Sequence, residues 1–484
     1  MKKIFLSAVA LMCGTMLFAQ YGPQYQGPTE TATLQPKLSG AATDANTGLS
    51  IQNGDNNKVH VRQAGTYQSV YTYQDNGSSG IGGNLARVRQ TGAVNATSGI
   101  QNAADVIQSG TENQSTTRQE GDLNSAITKQ GQNLDSEGNR GLIRQGIANQ
   151  AEENIAKLEQ DGNFNQGTIY QTDDSNDAWT IQNGDNNTSF TSQRAAPNNT
   201  GGHYAYTEQN GNDNQNGIDQ SGSQGQGNWA WAFQTGDANK SLQTQVNTDA
   251  TNSGYINYAM VSQGSFGNGL LTSDGLNDLN AVDGDVAAEV ANLNAFTSNS
   301  VAFQNQEGGD LDAEAHQYGD SNHSEQIQSG YGNDAFVIQN TTGADSGNYA
   351  RQDQSGTQSF ATLGQFGSGN KAWQRQAGDD NIVVSSQIGD NNLLNTYQDG
   401  DGNRGHTTQH GGDNAALLVQ RGGHSYSIEQ YGAGNQADVL QLGPNGNFNT
   451  DAIDCEFMSP RDWNPINGVD EFQLDPIFVG CGTN

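Results

Sequence analysis

The feature that most limits what this chain can become is a glutamine that returns every eleven residues. In the C-terminal half the series runs Gln354, Gln365, Gln376, Gln387, Gln398, Gln409, Gln420 without a slip. A glycine stands two positions after each, as at Gly378, Gly389, Gly400 and Gly411. An asparagine often stands five after, as at Asn370, Asn381, Asn392, Asn403 and Asn414. The same step joins Gln52 to Gln63, Gln119 to Gln130, Gln160 to Gln171 and Gln182, Gln328 to Gln339, and Gln430 to Gln441. Gly54, Gly121, Asn57, Asn124, Asn165, Asn333 and Asn435 fall in phase with them. Chance recurrence in a Gln-rich chain gives scattered pairs, not three residue types in phase. Fixed-period self-similarity is the mark of a stacked repeat architecture.

Between Asn and Gln the residues alternate. Asn57, Val59, Val61 and Gln63 share one face; Lys58, His60 and Arg62 share the other. That is the period of a β-strand with one buried face. The glycine falls where the chain must leave the strand and reverse, a place for positive φ. Asp is common beside it, as in Gly54-Asp55 and Gly389-Asp390. A strand of this length cannot bury its apolar face alone, but stacked copies can. The expected fold is therefore all-β: a β-solenoid of stacked strand-turn-strand coils with two facing sheets. Two eleven-residue units would close one coil of about 22 residues. Val, Ile and Ala would fill a narrow interior. Asn and Gln would lie over their equivalents in the next coil and bond up and down in ladders, which answers the cost of burying amides.

Composition enters as a check. Leu, Ile, Val and Phe are scarce while glycine reaches 63 residues, so without the repeat the chain would read as disordered. The net charge of −32 disfavours nucleic acid, which needs clustered Lys and Arg. Met1-Lys2-Lys3 followed by an apolar run to Phe18 and then Ala19 has the form of a secretory signal peptide over 1–19. The expected division continues with a flexible segment at 20–47, repeats at 48–263, an irregular region at 264–303, repeats at 304–447 and a non-repeat cap at 448–484.

The phased unit Gln-x-Gly-x-x-Asn, as at Gln376-x-Gly378-x-x-Asn381 and Gln387-x-Gly389-x-x-Asn392, resembles the curlin repeat across most of residues 48 to 447. Curlin proteins are the subunits of curli, extracellular functional amyloid fibres of bacteria. The resemblance implies a secreted solenoid subunit, fibre assembly in biofilm or cell adhesion, and export across the outer membrane by curli-type machinery. Its partners would be further copies of itself or other curlin-like subunits. This chain departs from the pattern in its length, in its insertions and in the loss of the repeat from about Gly264 to Val301. Those departures keep a second reading open: a monomeric acidic β-solenoid adhesin or surface-binding module.

Other chemistry is thin. Cys455 and Cys481 are the only cysteines after the leader and would pair in an oxidising compartment. Asp-Asp pairs such as Asp379-Asp380 fall in expected turns, where solvated charge explains them better than glycosidase chemistry. Repeated Gly-Asp raises calcium, but the nine-residue calcium repeat does not fit a step of eleven. His406 and His410 sit four apart in an expected strand, not on a helix face. Trp229, Trp231 and Trp373 would be carbohydrate or fibre contacts if exposed, or face packing if not. No catalytic residue, cofactor or metal ligand is assigned, and the chain is read as a structural protein.

Overall fold

A computed structural model describes the chain from residue 30 to 443, with the short strands Ile453–Asp454 and Gly482–Thr483 beyond. The described part omits most of 37–44 and the internal stretches 78–81, 93–101, 132–135, 147–151, 196–201, 223–226, 249–255, 265–273, 294–295 and 342–346. The leader at 1–19, the Cys455–Cys481 pair and nearly all of the 448–484 cap lie outside the described residues.

Successive strands alternate between two parallel sheets. The first takes Thr47–Asn53, Ser69–Asp75 and onward to Ser425–Tyr431; the second takes Lys58–Ala64, Leu85–Thr91 and onward to Gln436–Leu442. The result is a β-solenoid of about 14 turns with roughly 25 residues per coil. Where no loop intervenes the spacing between stacked residues is the expected 22, as from Gln354 to Gln376. Insertions raise the mean: the stacked pair Gln245 and Gln306 is separated by 61 residues.

Within each strand the second, fourth and sixth residues face inward. In Gln166–Thr172 these are Gly167, Ile169 and Gln171, all buried. The interior is too narrow for large residues on both sheets, so large faces small. Leu158 from the first sheet wedges between Gly141 and Gly167 of the second, where an added Cβ would lie 2.9 Å and 2.4 Å from its methyl carbons. Ala126, Ile143, Ala156, Leu158, Ile169 and Ala178 make one such interdigitated row.

The outer face of the first sheet is partly covered by the chain itself. Residues 30–36, expected to be flexible, instead cross four of its rungs. The backbone N–H groups of Ala32, Thr33 and Gln35 donate to Ser125 Oγ, Asp105 Oδ2 and Ser69 Oγ. Glu30 anchors the segment to Lys129 and Lys157 at 2.8 and 2.6 Å, and these hydrogen bonds hold its carboxyl below the usual range.

The irregular region replaces one turn between the two sheets. It carries helices α1 (Asp274–Val282) and α2 (Val286–Val290). Leu276, Leu279 and Val286 pack onto Tyr318, Phe336, Ile338, Phe366 and Val384 of the first sheet. The chain then returns through Thr297–Ser298, which stacks between Gly236-Asp237 and Gly319-Asp320 and restores the missing turn in its column. The repeat pattern fails here because these residues form a lid inserted at a turn, while both sheets run on without a missing rung.

Candidate functional site

The residues with functional promise are the amide columns and the rungs where they end. An inward Gln closes each strand, and each donates through Nε2 to Oε1 of the Gln one coil on. In the first sheet this series runs unbroken from Gln52 through Gln130, Gln160, Gln182, Gln339, Gln365, Gln387 and Gln409 to Gln430, at 2.7–2.9 Å. In the second it runs from Gln63 through Gln119, Gln171, Gln328, Gln376, Gln398 and Gln420 to Gln441, at 2.8–3.0 Å. The second Nε2 hydrogen crosses to the facing sheet. Gln376, for example, donates to Phe360 O and Gln387 to Lys371 O. A buried primary amide is thus satisfied on both donor hydrogens, which a hydroxyl could not do.

Gln145, Gln234, Gln245 and Gln263 belong to the same columns, although insertions obscure their step. A further short column escaped the sequence reading. Gln243, Gln304, Gln326, Gln352 and Gln374 stack at 2.8–3.0 Å two residues before the main column. Its signal was the Gln-x-Gln doublet, visible in Gln304-x-Gln306 and Gln352-x-Gln354.

The asparagines make the expected side-chain ladder and add a vertical bond to backbone. Asn187, Asn392, Asn403 and Asn414 donate through Nδ2 to Oδ1 of Asn165, Asn370, Asn381 and Asn392 at 3.0–3.1 Å. Asn57, Asn124, Asn165, Asn370, Asn381, Asn392 and Asn414 each accept, through Oδ1, the N–H of the Asn one coil on. Asn333 and Asn403 accept from Ser359 and His424. Asn435 completes the described column by donating to Asn414. Each amide therefore holds a turn to its neighbour.

His203 takes an Asn position, and its Nδ1 accepts the Asn228 N–H at 2.9 Å. Burial pushes its pKa down to about 4. The unfolded chain takes up this proton near the ordinary histidine value of 6.5, before the folded one does. Stability is therefore expected to fall between about pH 6.5 and 4, by roughly 3 kcal/mol from this group. His203→Asn, which restores the usual acceptor, should remove that share; urea titrations at pH 7 and 4.5 check it.

All six expected turn glycines have positive φ: Gly54 (83°), Gly121 (101°), Gly378 (106°), Gly389 (114°), Gly400 (82°) and Gly411 (109°). Stacking adds a second demand, since a Cβ on Gly389 would lie 2.1 Å from Gly411 O. The turn aspartates are more than solvated charge. Asp379 and Asp401 Oδ1 accept the N–H of Thr357 and Asp379, one coil before each.

The terminal described rungs carry exposed apolar side chains. Leu49, Ile51 and Val61 are exposed at the first rungs, Tyr426 and Tyr431 at the last. The tryptophans offer less than an exposed surface would: Trp231 and Trp373 are buried and Trp229 is half-buried. Trp229, Trp231, Tyr204, Tyr206 and Tyr258 pack against each other on the first sheet. Among the described residues one group converges as metal ligands would, namely Asp283, Asp285 and His410, within 4.8 Å. Its geometry is that of a latch: His410 Nε2 meets Asp283 Oδ2 at 2.8 Å and ties the helical lid to the solenoid. His406 is not part of it. No family model matches this chain, and no curated protein matches it.

Proposed function

We propose that the protein is a secreted, curli-like structural protein that forms or nucleates extracellular fibres, in biofilm matrix and cell adhesion, by adding solenoids end to end. One observation carries this reading: two glutamine columns run the length of the described stack and finish in exposed rungs. At the first rung Gln52 and Gln63 accept from no described amide. At the last, Gln430 and Gln441 have an Nε2 hydrogen with no described coil beyond it to receive it. A second molecule stacked in the same direction would satisfy both ends and continue the sheets, whose edge N–H and C=O groups otherwise face water. Opposite stacking would set donor against donor. Growth is therefore polar. Its partners are further copies or curlin-like subunits, after export through curli-type machinery.

The test is seeded growth of purified mature protein, followed by thioflavin fluorescence and fibre diffraction. Fibres with a cross-β pattern that seed fresh monomer are expected. A stable monomer that never seeds, yet binds a surface or glycan, would replace this reading with the monomeric adhesin.

A further inference from the structure

The outer face of the second sheet carries a charge pattern at odds with the rest of the chain. Arg62, Arg89, Arg118 and Arg144 occupy the same position on four consecutive rungs, in register. Lys58, Arg87 and Arg140 stand beside them on the same face. Seven of the 20 Lys and Arg residues of a chain with net charge −32 therefore share one patch. The four strands hold a single carboxylate, Glu120, which pairs with Arg118. Among the described residues none of the other six makes an ion pair, and Arg144 Nε is buried with no hydrogen-bond partner.

Nothing in the fold asks for this. Rungs lie ~4.8 Å apart, so adjacent guanidiniums repel one another even through water. Rungs without arginine or lysine, such as Gln166–Thr172 and Gln215–Gly222, stack in register on the same sheet. The column is a cost to folding that an anion would offset. The net charge does not forbid such a ligand, because the Debye length is about 8 Å at physiological salt and the local field decides at contact.

From this column we propose that the N-terminal end of the second sheet binds a linear polysaccharide bearing a carboxylate on each sugar, a polyuronate. Its charges recur at an interval close to one rung, and each guanidinium can clasp a carboxylate through two N–H donors. A second copy of this chain fits less well. A stable protein interface needs a desolvated apolar centre, and the patch offers only Leu85 and Leu142, both half-buried. Duplex DNA fits less well again. Its two strands place a charge every ~1.7 Å, and the adjoining turn column of Asp122, Glu152 and Asp174 would repel the excess. The inference stands whether or not the protein polymerises.

The experiment compares the full chain with R62Q/R89Q/R144Q and, as a control on the same face, K371Q/R375Q, all with matching far-UV spectra. Binding to polygalacturonate, neutral dextran and duplex DNA is measured between 50 and 300 mM salt. The wild type and the control should bind polygalacturonate and not dextran. The triple variant should bind roughly tenfold or more weakly, with a salt slope shallower by about two. Equal binding by wild type and triple variant overturns the proposal. So does failure of the wild type to bind, preferential binding of DNA, or self-association that the triple variant loses while polygalacturonate is ignored.

Discussion

Gln328→Met is expected to cost the folded protein about 3–5 kcal/mol, although methionine nearly matches glutamine in volume. The Gln328 amide is 1% exposed. It donates to Gln354 Oε1 at 2.9 Å and to Asp312 O at 2.7 Å, and accepts from Gln306 at 2.9 Å. Removing it strands a donor on Gln306 and an acceptor on Gln354, each buried. An unsatisfied buried group costs about 1–3 kcal/mol, more than the bond it loses was worth. Gln441→Met is the matched control. Its amide sits at the last described rung, half-buried; it gives one long bond of 3.4 Å to Ser425 O and accepts from Gln420 at 2.8 Å, with no described Gln beyond it. Only one neighbour's group is stranded there, so the cost should be about 1–2 kcal/mol. Urea midpoints compare the two, and hydrogen exchange locates the damage. A solenoid is close to a chain of nearest-neighbour interactions, so lost protection should spread from rung 323–331 to its neighbours and not to the far end. Equal costs for the two variants would mean that the columns are ornament on a stack held together by something else.

That the fold was readable at all follows from how such a stack is built. Every rung repeats the same local problem, so Gln376, Gly378 and Asn381 answer it in the same way as Gln387, Gly389 and Asn392. Inward positions followed from strand alternation, and the positive φ at Gly378 from the need to reverse. What escaped had no repeated signal. The docking of Ala32 and Thr33 on Ser125 and Asp105 joins residues 93 and 72 apart, and no periodicity points across such a gap. The helical lid was visible only as a loss of pattern near Leu276 and Leu279. Its seat on Phe336 and Phe366 depends on outward residues, which the repeat leaves free to vary. Trp231 and Trp373 show the same limit: alternation places them outward, but not whether neighbouring side chains bury them. The asparagines were placed correctly on the inner face, yet their bond to the next turn's N–H depends on turn geometry that spacing alone does not reveal.

Gly432→Ala is expected to leave the monomer folded and to stop fibre growth at one end. A Cβ on a turn glycine points toward the next coil. On Gly411 it would lie 2.0 Å from Gly432 O, and on Gly389 2.1 Å from Gly411 O. Those are backbone atoms inside a column and cannot yield, so Gly389→Ala should destabilise the monomer by more than ~3 kcal/mol. Gly432 closes the same column at the last described rung, with φ 105° and nothing nearer to its added Cβ than Asn435 Nδ2 at 3.8 Å. In the monomer only the strain of positive φ remains, about 1–2 kcal/mol. In a fibre that continues the column, the same methyl group would meet the carbonyl of the arriving subunit. The Thr47–Ala64 end of the variant is unchanged, so it can still join a wild-type seed and then present a blocked face. The variant alone should form no fibres. Added in small proportion to wild-type monomer, it should arrest growth at one end while the other continues, visible by imaging two-colour seeds. Fibres of Gly432→Ala that elongate from both ends like the wild type would show that growth does not proceed through this rung.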